Sequence, residues 1–300
     1  MNKLFSTPLL IWAIFIAQSC WAAEPITFFI AADTHIGWNQ TTDNELKNRE
    51  AIEDMNALPG AKAPWSDDEE IGTPRGVLIA GDLTQSSSAN WAGFWLGSWR
   101  YGFDQLYQVS GEGILKFPVY EGYGNHDLDT GFRGVLSGIY LRNKHRSTPV
   151  TISDNGLHYS WEWDGVHFIN LNLCPGHGGQ AYNSLAFLEK DLAQNLKSPR
   201  QPVIIYHHLH HASPDWPVEE KQDTIKILEG YNVIAIFIGH THTSFRYRWH
   251  GIDVFGVPKI HGRQYYVCQI KDGALYIGRR INGGWKTSWK KQFEWLHGGE

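Results

Sequence analysis

Val233-Ile234-Ala235-Ile236-Phe237-Ile238-Gly239-His240-Thr241-His242 runs from six apolar residues straight into a glycine and two histidines. The run has the length and composition of a buried strand, which puts His240 and His242 at its exit. Four other stretches repeat the form. Ile26-Thr27-Phe28-Phe29-Ile30-Ala31-Ala32 leads into Asp33 and His35, and Val77-Leu78-Ile79-Ala80 leads into Gly81-Asp82. Val119-Tyr120-Glu121-Gly122-Tyr123 leads into Gly124-Asn125-His126-Asp127, and Val203-Ile204-Ile205-Tyr206 into His207. In open α/β sheets ligands bind outside the carboxyl ends of the strands, so side chains scattered along the chain are gathered there into one crevice.

The gathered set is Asp33, His35, Asp82, Asn125, His207, His240 and His242. Carboxylate, imidazole and amide ligands without a thiolate suit divalent Mn, Fe, Zn or Co, and seven ligands exceed what one ion takes. The set therefore points to a two-metal hydrolytic site. Each fragment alone is weak evidence: Asp-x-His and Gly-Asp are ordinary loop sequences, and Gly-Asn-His-Asp alone reads as a turn. The force comes from their sharing one position, the strand exit. Asp33 and His35, like His240 and His242, are two apart, so each pair points to one side in extended backbone and to two neighbouring ions in a loop.

With these blocks in this order, over roughly residues 26–243, the chain resembles the calcineurin-like metallophosphoesterase superfamily. The resemblance implies an α/β fold, a four-layer α-β-β-α sandwich of two mixed β-sheets with flanking helices and a dinuclear centre at one end. It implies that Asp33, His35 and His242 hold one metal, that Asn125, His207 and His240 hold the other, and that Asp82 bridges them. Two such ions, roughly 3.5–4 Å apart, acidify a bridging water, orient the phosphate and neutralise its oxygens, and hydroxide attacks phosphorus in line. His126 would serve as general acid or charge stabiliser on the leaving-group side. Asp127 would orient its imidazole, or else cap a helix. Where many members carry Asp or Asn three residues after the bridging Asp, this chain has Gln85. Purple acid phosphatases have Tyr there, so Gln85 argues against that branch, as does Asp-x-His at 33–35.

Three hundred residues, 42% of them hydrophobic, suffice for a single catalytic domain over residues 23–300. A net charge of −5 supplies no basic footprint for general nucleic-acid binding. Residues 1–22 read as a signal peptide: Lys3, the apolar run Leu9-Leu10-Ile11-Trp12-Ala13-Ile14-Phe15-Ile16-Ala17, then Cys20-Trp21-Ala22. The run is too short for a permanent membrane span, and the expectation is a periplasmic or secreted protein. Lipidation at Cys20 is the lesser alternative, since Ala17-Gln18-Ser19 lacks the usual bulky apolar residue. Cys174 and Cys268 then remain, paired or as two buried thiols.

Between the first two blocks, residues 45–56 have helical spacing at Leu46, Ile52 and Met55, and Asp67-Asp68-Glu69-Glu70 reads as a solvated loop rather than a cap over the site. Trp91, Phe94, Trp95, Trp99, Tyr101, Phe103 and Tyr107 read as core before they read as the site's mouth, and Arg133 as a surface residue before a phosphate clamp. His210 is a candidate substrate contact. Strands at 252–257, 264–270 and 274–279 are expected to complete the second sheet, while Trp285, Trp289, Phe293 and Trp295 have no assigned packing. The expected activity is hydrolysis of a phosphomonoester. A phosphodiesterase acting on a nucleotide or lipid, and a non-catalytic metal-binding interaction protein, are the alternatives.

Overall fold

The computed structural model describes residues 25–37, 42–85, 102–128, 134–176 and 183–294. The proposed signal peptide, the residues from Trp91 to Tyr101, Arg133 and Trp295 lie outside them.

Strands are numbered along the chain. One mixed sheet centres on β1 (Ile26–Ala31), which runs parallel to β4 (Val77–Ala80), itself parallel to β5 (Val119–Gly122). On its other side β1 pairs antiparallel with β13 (Gln264–Lys271), followed by β14 (Ala274–Ile281) and β15 (Gly284–Gln292). The second mixed sheet has a parallel centre of β8 (Val166–Asn170), β9 (Val203–His207), β10 (Val233–Ile238) and β12 (Ile252–Gly256). Antiparallel β11 (Phe245–Trp249) closes one edge, and β7 (Tyr159–Trp163) with β6 (Thr151–Ile152) the other. The expected strands are thus present, but only residues 252–256 of the C-terminal group join the second sheet. The rest fold back onto β1 as a meander, in which Trp285 and Trp289 lie on β15.

Side-chain alternation along each strand builds the layers. Ile26, Phe28 and Ile30 of β1 face Phe168, Ile204, Tyr206 and Phe237 in a core between the sheets. The Phe28 ring stands edge-on to Phe168 at 5.4 Å, the geometry that aligns ring edge with ring face. Phe29 and Ala31 face outward to α1 (Thr42–Ala57) and α2 (Val135–Lys144) through Ile52, Met55 and Ile139. On the far side Ile205 and Ile236 meet Leu188 of α3 (Leu185–Asn195) and Leu228 of α4 (Val218–Leu228). The result is the four-layer α-β-β-α sandwich.

Local expectations fare unevenly. Ile52 and Met55 are buried, whereas Leu46 is 54% exposed and does not belong to the packing face of α1. The acidic run is no loose loop: it forms β3 (Ser66–Glu70), paired with β2 (Lys62–Ala63), and Glu69 is bound by Lys271 and by the indole N–H of Trp65. Lys271 follows Ile270, which pairs with Ile26 at the start of β1, so this ribbon sits at the end of the sheet away from the strand exits. Phe103 and Tyr107 are fully buried and stacked, and the Tyr107 hydroxyl donates to Asn48, as core residues do. Cys174 and Cys268 are both free and buried. Among the described residues no helix is long and apolar enough to cross a membrane.

Candidate metal centre

The parallel strands β1, β4, β5, β9 and β10 all end at the same edge of the sandwich, and their exit loops are tied together there. The N–H groups of Asp33 and His35 donate to the carbonyls of Gly81 and Asp82 at 3.0 Å each, so the loops after β1 and β4 run as one unit. Asp33, His35, Asp82, His240 and His242 have φ of 56°, 45°, 53°, 68° and 59°. This left-handed region costs a non-glycine residue about 1–2 kcal/mol, so the surrounding structure holds five site residues in conformations they do not favour.

These turns aim the side chains at one another in two groups. In the first, His242 Nε2 lies 3.2 Å from the Asp33 carboxylate and 3.1 Å from His35 Nε2, and His35 lies 3.6 Å from Asp82. In the second, Asn125 Oδ1 is 3.0 Å from both His208 Nε2 and His240 Nδ1, and His208 Nε2 is 3.1 Å from Asp82. Asp82 lies against both groups, at 3.6 Å from His35 and 3.1 Å from His208.

The histidine of the second group is His208, not His207. Alternation along β9 explains the correction: Tyr206 and His208 face the other sheet, whereas Ile205 and His207 face the helices. His207 is buried against Trp216, with ring centroids 5.2 Å apart and its Nδ1 without a partner, and burial drives its pKa down to about 3. His208 Nδ1–H donates to the Ala80 carbonyl at 2.8 Å, which leaves Nε2 as the atom turned to the site. Burial opposes charge on His208, yet the Asp82 carboxylate pulls its pKa up to about 9. Burial likewise works against the Asp82 carboxylate, but His208 and His35 hold its pKa well below the usual range.

His126 stands beside both groups. Its backbone N–H donates to Asp82 Oδ1 at 2.9 Å, and its ring lies edge-on to His35 at 4.8 Å. Asp127 does not orient that ring. Its carboxylate instead accepts from the backbone N–H groups of Leu83, Thr84 and Gly124 and from the Thr84 hydroxyl, tying the β4 exit to the β5 exit. Burial and the Asp82 charge push the Asp127 pKa up to about 7 against those hydrogen bonds. Gln85 occupies the orienting position: its carbonyl lies 2.7 Å from His126 Nδ1, with its side-chain amide at 3.2 Å.

His261 was not anticipated. It lies in the turn Ile260–Gly262, its Nδ1–H donates to the Asp33 carbonyl at 2.6 Å, and its ring packs on His35 and His242. Like the other site residues it follows a parallel strand, β12, and that exit is the signal that would have found it.

The donor set fits divalent cations. Both oxygens of the buried Asp33 carboxylate lack a hydrogen-bond partner. Ring nitrogens and an amide oxygen converge at about 3 Å, close enough for one cation to be shared among them in place of a ring proton. Asp33, His35 and His242, and Asp82, His208 and His240, form clusters suited to holding a metal ion, and a third joins His35, Asp82 and His126. Gly124 shows how little room remains: a Cβ there would lie 2.2 Å from Asp82 Oδ1. Gly124→Ala is accordingly expected to displace Asp82 and to lower the metal content of the folded protein, measured by elemental analysis alongside circular dichroism.

Fold and site together give a two-sheet α/β sandwich that carries side-chain clusters suited to holding metal ions at its strand exits. The model of the calcineurin-like phosphoesterase family matches residues 26–244, and the chain belongs to that family. No curated protein matches the chain. Among solved structures, GAP50, the anchor in the inner membrane complex of Plasmodium, is similar over 91% of this chain and 90% of its own, at 9% identity and a TM-score of 0.57. A putative 5′-nucleotidase from Staphylococcus aureus in complex with alpha-ketoglutarate is 12% identical over 90% of this chain and 54% of its own, with a TM-score of 0.46. Zinc-complexed Vps29 from Entamoeba histolytica is 13% identical over 90% of this chain and 100% of its own, with a TM-score of 0.39. At 9% identity the likeness to GAP50 is one of fold.

Proposed function

We propose that the protein is an exported, dinuclear metal-dependent phosphomonoesterase. The observation that carries the reading is the pair of ligand groups sharing Asp82, with His126 held against them and outside both sets of three. Asp33, His35 and His242 would hold one divalent ion, Asn125, His208 and His240 the other. When bound, the cations supply an acidified water as nucleophile and neutralise phosphoryl oxygens.

The chain's own groups do the rest. Gln85 fixes the His126 ring through Nδ1, which leaves Nε2 to meet the leaving oxygen and deliver its proton. Asp127 locks the loop that carries Asn125 and His126 to the loop that carries Asp82. Asp33 and Asp82 are the carboxylates of the two groups, so two divalent ions would leave the site with a net positive charge toward phosphoryl oxygens. Export rests on the apolar run at residues 9–17 and the small residues after it. N-terminal sequencing of the mature protein tests it, and an intact Met1 would refute it.

Turnover of p-nitrophenyl phosphate against bis(p-nitrophenyl) phosphate, with Mn, Fe, Zn or Co restored to chelated protein, tests the activity. The monoester is expected to be the faster substrate. Faster diester turnover would assign a phosphodiesterase, and bound metal without turnover would assign a non-catalytic scaffold. His126→Ala is expected to lower kcat by about 10²–10⁴-fold with metal content unchanged.

A further inference from the structure

A separate concentration of rings flanks the second ligand group. Phe245, at the head of β11, pairs with Gly256 at the exit of β12, so β11 starts at the edge where the site lies and runs away from it. Its alternation puts Phe245, Tyr247 and Trp249 on one face, while Arg246 and Arg248 turn to Asp253. The loop that supplies His208 then lays His210 and His211 on the aromatic face. The His210 ring lies 5.5 Å from Phe245 and 5.2 Å from Tyr247.

These rings are fixed, and all remain partly open to solvent. The Ala212 N–H donates to His210 Nδ1 at 2.9 Å, which sets that ring's orientation and leaves Nε2–H as a free donor edge. The Tyr247 hydroxyl and His211 Nδ1 are 2.5 Å apart, and the Phe245 ring lies over Gly256, where any side chain would collide with it. His210, His211, Phe245, Tyr247 and Trp249 are each half-buried.

We propose that His210, Phe245 and Tyr247 form a stacking subsite for a planar aromatic group carried by the phosphoester substrate. The proposal rests on the phosphoesterase reading and deepens it by naming the substrate class. The rings offer a flat aromatic surface beside the strand exits. A purine or aryl group presents a π face to them and hydrogen-bonding edges to His210 Nε2–H.

Adenosine 5′-monophosphate and ribose 5-phosphate share the phosphorylated carbon and differ in the base, so calorimetric titration of both into manganese-loaded full-length protein isolates the subsite. The nucleotide is expected to bind about 10-fold more tightly. That preference should fall toward one in His210→Ala and in Phe245→Leu, and persist in Tyr247→Phe, which keeps the ring. Equal affinities in the unaltered protein, or a preference surviving both ring deletions, would overturn the proposal. The failures are separable: a base preference in a protein that hydrolyses no phosphoester sinks the enzymatic reading alone, and hydrolysis without the preference sinks the subsite alone.

Discussion

Replacing Asp82 is expected to empty both metal sites and reduce phosphoester hydrolysis to the level of chelated protein. The carboxylate is reached by His208 at 3.1 Å, by His35 at 3.6 Å and by the His126 N–H at 2.9 Å, so its removal takes an anionic ligand from each group at once. Asp82→Asn is the sharper variant because it keeps the shape, and with it the acceptor for His126. Loss of metal and activity in a cooperatively folding Asp82→Asn protein then cannot be ascribed to misfolding. The expected fall in kcat/KM is about 10³-fold, equivalent to roughly 4 kcal/mol of transition-state stabilisation. Elemental analysis should show the metal content falling in parallel, and full turnover by chelated protein would remove the basis for metal-dependent chemistry.

Adjacent histidines provide the second large effect. His208→Ala is expected to lose the ion shared with Asn125 and His240, and with it about 10²–10³-fold of activity. His207→Leu should keep both ions and most of the activity. His207 faces the helical layer against Trp216, where a leucine of similar bulk fills the space and removes an unpartnered polar atom. The opposite pattern, metal lost from His207→Leu and kept by His208→Ala, would overturn the assignment.

The exchange of these two histidines shows what the sequence made legible. The apolar runs from Ile26, Val77, Val119, Val203 and Val233 declared their strands because burial on both faces leaves little choice of residue. Six of the seven residues taken from their exits meet in the two side-chain groups of the structure. His207 was chosen as the last residue of its strand, although the period of two already assigned His208 to the face of Tyr206. The hairpin of β7 and β8 was missed despite its Asp164-Gly165 turn, both with positive φ, a strong local hairpin signal. Trp and His in those strands blurred the apolar pattern. Sheet membership after residue 264 was not legible, because β13 finds its partner β1 more than two hundred residues away. Of the two roles weighed for Asp127, capping is the one seen, since its carboxylate accepts from the Gly124 N–H at the start of its short helix; its partners Leu83 and Thr84 were not legible because they become neighbours only when β4 and β5 pair.

The two ligand groups also straddle the gap between the sheets. Asp33, His35, Asp82 and Asn125 hang from β1, β4 and β5, whereas His208, His240 and His242 hang from β9 and β10. Each group takes members from both sides, so the width of the gap is a caliper setting for the site, and the rings of Phe28, Phe168 and Phe237 are its stop. Trimming one of them lets the sheets settle, and a drift near 1 Å in reacting geometry can cost about 10²-fold in rate. A phenylalanine that touches neither metal ligand nor substrate can thus govern how well the two halves of the centre meet.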